Sequence, residues 1–178
     1  MPRMNQSYLP RYANTVASIN LNTLVSNDIK GIILDLDNTI ISEDDKFISP
    51  NVNTWIQKAK DLGIKFYILS NCKSHYRVEY WSSYLTIPAT SSARKPIPTG
   101  FRKAISYMHL EKSQVAVIGD SLHTDILGAW LVGCPSIQVA SLPHPPRWWE
   151  KFIGKYVQCP FPKDLELWNF QPIEYDRR

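Results

Sequence analysis

Three short apolar runs, each ending in small or acidic polar residues, constrain this chain more than any other feature. They are Gly31-Ile-Ile-Leu-Asp35-Leu-Asp37, Ile64-Lys-Phe-Tyr-Ile-Leu-Ser70-Asn71 and Val115-Ala-Val-Ile-Gly119-Asp120. Runs this short and this rich in branched residues read as strands buried on both faces. Helical patterns fill the intervals. Over Ser49–Leu62, Ser49 is the expected N-cap, Pro50 suits the first turn, Gly63 ends the helix, and Val52, Trp55, Ile56, Ala59 and Leu62 form its apolar stripe. Further helices are predicted over Ser74–Tyr84, over Thr99–His109 with Phe101, Ala104, Ile105 and Met108 inward, and over Thr124–Leu131; a last strand is predicted at Ser136–Val139. Such alternation predicts an α/β fold of three layers, a central parallel sheet with crossover helices on both faces. Ligands of these folds sit at the carboxyl ends of the strands.

The strand ends carry the chemistry. Asp35 and Asp37 point the same way if strand geometry persists between them, and two acids held together repel unless a cation or a shared proton intervenes. On this segment alone, a strand running into an acidic turn through Asn38, Glu43, Asp44 and Asp45 is an equal reading. Taken singly, Ser70 is a turn former and Lys95, before Pro96, a solvated surface cation. In sequence order, however, the chain presents an acid pair, a hydroxyl, a lysine and a second acid pair, Asp120 and Asp125. That is a phosphoryl-transfer kit.

These motifs, in this order and on these elements, resemble the haloacid dehalogenase (HAD) superfamily of phosphatases. The resemblance implies a HAD-like (Rossmannoid) fold and a Mg2+-dependent phosphomonoester hydrolase. By motif, Asp35 is the nucleophile that forms an aspartyl-phosphate, and Asp37 the general acid–base, whose backbone carbonyl is also a metal ligand in the family. Asp120 completes the Mg2+ site with Asp35, and Asp125 supports that site or orients Lys95. Ser70 hydrogen-bonds a phosphoryl oxygen and Lys95 offsets charge. Thr39 and Asn71 are assigned to substrate binding, with Asn38 shaping the loop; His123 and His144 are weaker candidates, and Cys72 has no assigned role.

No cap domain fits between Asp37 and Ser49, or between Ser70 and Lys95, which implies an open site suited to a phosphate on something large. Ile29-Lys-Gly-Ile-Ile-Leu-Asp-Leu-Asp-Asn-Thr39, Ala93-Arg-Lys-Pro96, Phe101-Arg-Lys-Ala104 and Gly119-Asp-Ser-Leu-His-Thr-Asp-Ile-Leu-Gly128 are similar to subfamily IIIA phosphatases of the YqeG-like type. That group includes phosphatidylglycerophosphate phosphatases, so the implied reaction yields phosphatidylglycerol. Asn71-Cys72 departs from the subfamily, which commonly repeats asparagine. A phosphoprotein or soluble phosphometabolite is the first alternative substrate; a ribosome- or GTPase-associated binding module with retained motifs is the alternative of another class.

Composition sets the remaining bounds. The 178 residues suit one domain, read as 1–178 with 140–178 a proline- and aromatic-rich extension. A net charge of +4 is too small to argue for nucleic acid. The odd set Cys72, Cys134 and Cys159 lacks metal spacing and predicts reduced thiols. No apolar run approaches a membrane span, and Met1–Pro10 lacks the hydrophobic segment of a secretory signal, so a cytoplasmic or organellar soluble side is expected.

The extension bears on that location. Arg147-Trp-Trp-Glu-Lys-Phe-Ile-Gly-Lys-Tyr-Val157 has helical periodicity, with Trp148, Phe152 and Tyr156 in one row and Trp149, Ile153 and Val157 in the next. Trp148, Trp149 and Phe152 beside Arg147, Lys151 and Lys155 suit peripheral contact with a bilayer interface. Packing of the same stripe on the core is an equal reading.

Overall fold

The computed structural model describes residues 8–146, 148 and 150–170. In chain order the elements are β1 (Tyr12–Ala13), α1 (Leu21–Ser26), β2 (Gly31–Leu34), β3 (Phe47–Ile48), α2 (Val52–Asp61), β4 (Lys65–Leu69), α3 (His75–Leu85), β5 (Ala89–Thr90), α4 (Pro98–Met108), β6 (Val115–Gly119), α5 (Leu127–Val132), β7 (Ser136–Val139), α6 (Glu150–Val157) and β8 (Trp168–Asn169). Six strands form one parallel sheet in the order β1-β7-β6-β2-β4-β5, while β3 and β8 pair antiparallel beside it. The α/β architecture is the one expected.

Period-two alternation divides the core between the two faces of the sheet. Ile32, Leu34, Phe66, Ile68, Ala116 and Ile118 pack with Trp55 and Ile56 of α2 and Val78 and Trp81 of α3. Ile33, Tyr67, Leu69 and Val117 pack with Phe101 and Ala104 of α4 and Ala129 of α5. Ile32, Leu34, Ile68 and Ile118 are fully buried, and each contributes about 1.5–3 kcal/mol by leaving water. That stabilisation offsets the cost of the carboxylates gathered at the sheet's edge.

Register puts those carboxylates together. Leu34 stands opposite Ile68 on one side and Ile118 on the other. The chain therefore leaves β2 at Asp35, β4 at Ser70 and β6 at Asp120 along one edge. Close packing at this edge requires glycine at two positions. A Cβ on Gly119 would lie 2.3 Å from Asp125 Cγ, and one on Gly128 would lie 2.3 Å from the Phe101 ring.

Several expectations need correction. The β2 ladder ends at Leu34, so Asp37 is positioned by a tight loop rather than by strand geometry. That loop turns on Asn38, which adopts the left-handed region at φ 60°; Asn38 Oδ1 also accepts the Glu43 N–H at 2.9 Å. Helix α2 starts at Val52, not after Ser49, because Ser49 is drawn into the loop, its N–H donating to Ile40 O at 2.8 Å. Asn51, a residue that tolerates the left-handed region, occupies the cap position at φ 57°. Leu62, expected in the apolar stripe, is 53% exposed. The helix predicted at Thr124 is preceded by one wide turn, Leu122–Ile126, in which Ile126 N–H reaches back five residues to Ser121 O at 3.3 Å. Only one helix and the short β5 lie between Ser70 and Lys95, and only β3 between Asp37 and α2, so neither interval carries a cap domain.

Candidate active site

The strand ends open into a cleft of about 480 Å3, whose wall includes Asp35, Asp37, Asn71, Arg77, Lys95, Asp120 and Gln158. At its base lies a buried acidic cluster: carboxylate oxygens of Asp35, Asp120 and Asp125 all fall within 4.8 Å of one another. Lys95 is the cation among them, its Nζ donating to Asp35 Oδ1 at 2.5 Å and to Asp125 Oδ1 at 2.7 Å. The lysine is itself buried. Burial opposes its charge, yet Asp125 and Asp35 outweigh that penalty and hold its pKa above the ordinary value.

Three acids against one lysine leave a net negative interior. Burial first, then Asp125, pushes the Asp35 carboxyl well above the usual range against the pull of Lys95. Asp120 is pushed up to about 7 by burial and by Asp125, with the Ser141 and Gln158 side chains and Lys95 opposing. A buried set of oxygen donors with uncompensated negative charge fits a hard divalent cation. The wide turn before α5 serves this cluster. It folds Asp125 beneath Gly119, where Oδ2 accepts the Ser121 N–H at 3.3 Å and the Thr124 hydroxyl at 3.1 Å.

Asp37 faces a different environment. Its Oδ2 accepts the Ser70 hydroxyl at 2.9 Å, and its Oδ1 is ion-paired with Arg77 Nη1. The same guanidinium donates from Nε to Asp45 Oδ1 at 2.9 Å and from Nη2 to Ser42 O at 3.2 Å. Burial works against the Arg77 charge, but Asp37 and Asp45 raise its pKa further still. Thus the acid pair read from sequence is separated in the fold, one acid facing a lysine and the other an arginine.

The remaining sequence-derived candidates have defined places. Thr39 is buried behind Asp35 and donates to its Oδ2 at 3.4 Å. Asn71 clamps the Lys95 backbone, accepting its N–H at 2.7 Å and donating to its carbonyl at 3.1 Å. These bonds use one N–H and one lone pair of the amide, and Asn71 also forms part of the cleft wall. Ser70 in this state meets Asp37. His123, at the cleft wall, is 2.7 Å from Ser121 Oγ. His144 is not among the residues lining the cleft and is 3.1 Å from Glu150. Trp149 and Arg147 lie outside the described residues.

Sequence reasoning missed Arg77, Asp45 and Gln158. A usable signal existed for Arg77: it falls on the buried face of α3 with Val78, Trp81 and Leu85, and an arginine there demands acidic partners. Gln158 left no such signal. It reaches the cleft from beyond α6 and donates to Asp120 Oδ2 at 2.9 Å.

Comparison with known proteins agrees with this architecture. The family described as haloacid dehalogenase-like hydrolase matches residues 32–89, and the HAD-hydrolase-like family matches residues 92–156. The chain is 37% identical over 126 residues to the probable phosphatase YqeG of Bacillus subtilis (strain 168), a match spanning 70% of this chain and 73% of that protein. The cobalt-bound deoxy-D-mannose-octulosonate 8-phosphate phosphatase of Haemophilus influenzae superposes with a TM-score of 0.53 at 21% identity, covering 66% of this chain and 72% of that one. A protein from Listeria monocytogenes serotype 4b gives a TM-score of 0.55 at 19% identity over 67% of this chain and 84% of its own. At such identities the two structures speak to the fold.

Proposed function

Because the chain belongs to the haloacid dehalogenase-like hydrolases, as a YqeG-like phosphatase, we propose that it hydrolyses phosphomonoesters through an aspartyl-phosphate on Asp35, with Mg2+, and that its substrate is phosphatidylglycerophosphate. The observation that carries the chemistry is the buried Asp35 carboxylate, held by Lys95 beside Asp120 and Asp125 at the floor of an uncapped cleft. Asp35, Asp120 and the backbone carbonyl of Asp37 would hold the cation, with Asp125 behind them. When bound, the Mg2+ neutralises charge on the transferring phosphoryl group.

The chain's own groups divide the work. An Asp35 oxygen attacks phosphorus, and Lys95 keeps that side chain aligned and offsets the incoming negative charge. Asp37 gives a proton to the departing alcohol, then takes one from the water that cleaves the aspartyl-phosphate. Ser70, whose oxygen is held by the Cys72 N–H at 2.9 Å, re-aims its hydroxyl proton from Asp37 to a phosphoryl oxygen as substrate enters. Arg77 keeps Asp37 from swinging away during the exchange.

Support for a lipid substrate comes from the uncapped mouth and from α6. Among the described residues of that segment, Trp148, Phe152 and Tyr156 are 77%, 72% and 68% exposed. The row therefore does not pack on the core, and Lys151 and Lys155 flank it. Aromatic rings beside lysines suit peripheral contact with an anionic bilayer. No described helix is long and apolar enough to cross a membrane.

The deciding measurement is phosphate release from phosphatidylglycerophosphate in vesicles beside a panel of soluble phosphoesters, each with Mg2+ and with chelator. Release from the lipid that chelator abolishes is expected. Turnover of soluble esters with none of the lipid would remove the substrate assignment while leaving the chemistry.

A further inference from the structure

The end of α6 enters the cleft, and several interactions fix it there. Gln138, buried on β7, donates from Nε2 both to the Asp120 carbonyl at 2.9 Å and to the Val157 carbonyl at 3.2 Å. Backbone bridges join Ser121 to Gln158 and Ser141 to Pro160, and the Ser141 N–H donates to Cys159 O at 2.7 Å. Gln158 N–H closes the last turn of α6 on Gly154 O at 2.9 Å. From this anchored backbone the Gln158 amide donates to Asp120 Oδ2 at 2.9 Å and forms part of the cleft wall.

We propose that Gln158 is a positioning residue for the cation site: it fixes the rotation of the Asp120 carboxylate, so divalent-cation affinity depends on how α6 is seated. The inference rests on the reading of Asp35 and Asp120 as cation ligands. Without a donor on Oδ2, repulsion from Asp35 and Asp125 favours rotation of Asp120 away from the cluster. A neutral amide resists that rotation and adds no positive charge to compete with the cation. A lysine in its place would hold the carboxylate equally well but would repel the ion. Outer partners that orient ligating carboxylates in this way typically govern affinity by about 10–100-fold. The arrangement also ties two surfaces together. One end of α6 reaches the base of the cleft through Gln158, and its flank carries the exposed aromatic row of Phe152 and Tyr156.

The test is direct binding of Mn2+, as a paramagnetic substitute for Mg2+, to the full chain by electron paramagnetic resonance. Gln158→Met keeps the length of the side chain and removes the donor. Its melting temperature in chelator is measured alongside, because a residue that only supported the fold would lower that value. Expected is a weakening of Mn2+ affinity by about tenfold or more, with the metal-free melting temperature little changed. Gln158→Asn, which withdraws the amide by one methylene, provides the same comparison if methionine disturbs the seat of α6. Equal Mn2+ affinity in the original chain and in a folded variant overturns the role of Gln158 and leaves the cation site standing. Absence of Mn2+ binding by the original chain overturns both.

Discussion

Asp35, Asp120 and Asp125 bring more negative charge into the interior than Lys95 balances, and the consequences can be measured residue by residue. Asp35→Asn should abolish phosphate release, since an amide is a poor nucleophile toward phosphorus. In chelator the same variant should melt higher than the original chain, because the cost of burying an ionisable carboxyl beside Asp125 and Asp120 is gone. Unchanged phosphate release would remove Asp35 from the nucleophile's role. The pH dependence follows from Asp35 and Asp120, whose carboxyl pKa values both rise on folding, that of Asp120 from 3.8 to about 7. Between those values the folded state holds a proton that the unfolded state has released, so metal-free stability falls as pH rises through this window. Asp120→Asn should flatten that fall when melting is followed in chelator. Arg77→Met removes the guanidinium from the half-buried Asp37 and the buried Asp45. The expected loss is about 3–5 kcal/mol, read from urea unfolding.

At this scale the sequence was legible where chemistry is announced by order. Asp35, Lys95, Asp120 and Asp125 follow strand ends in a fixed succession, and the fold brings all four within hydrogen-bonding or ligand distance. It was not legible where a side chain's partner is set by tertiary packing. Nothing local says that Asn71 will clamp the Lys95 backbone, or that the Ser70 hydroxyl will rest on Asp37.

Elements were read well in their existence and less well at their ends. Strand β7 falls where expected at Ser136–Val139, and α4 lies within one residue of its predicted span. The failures at the start of α2 and before α5 share a cause. In both places the chain bends to serve the loops at the sheet's edge, drawing Ser49 inward in one case and turning Asp125 under Gly119 in the other. Helix packing gives a direct test: Gly128→Ala brings a methyl against the Phe101 ring, and about 1–3 kcal/mol of stability should be lost to overpacking. Helix α6 behaves oppositely. Replacing Trp148 and Phe152 by serine should change stability by no more than about 0.5 kcal/mol per site, because both are exposed. Co-sedimentation with anionic vesicles should nevertheless fall. A large loss of stability would instead assign these rings to intramolecular packing.

For the molecule as a whole, a cation bound at the proposed site is expected to stabilise the fold. Mg2+ titrated into metal-free protein should raise the melting temperature progressively, since binding to the folded state alone shifts the unfolding equilibrium. Asp120→Asn should blunt that rise.

The position of β2 in the sheet has a consequence for how the site comes apart. With β6 on one side and β4 on the other, β2 has no free edge, and the Asp35 N–H is bonded to Ile118 O at 2.9 Å. Its amide hydrogen should exchange with deuterium only through global unfolding. The segment bearing Gln158 is held by isolated bridges and should exchange by local opening, at lower free energy. Asp35 and Gln158 would thus belong to different cooperative units. The chain can release Gln158 many times over while Asp35 stays in place.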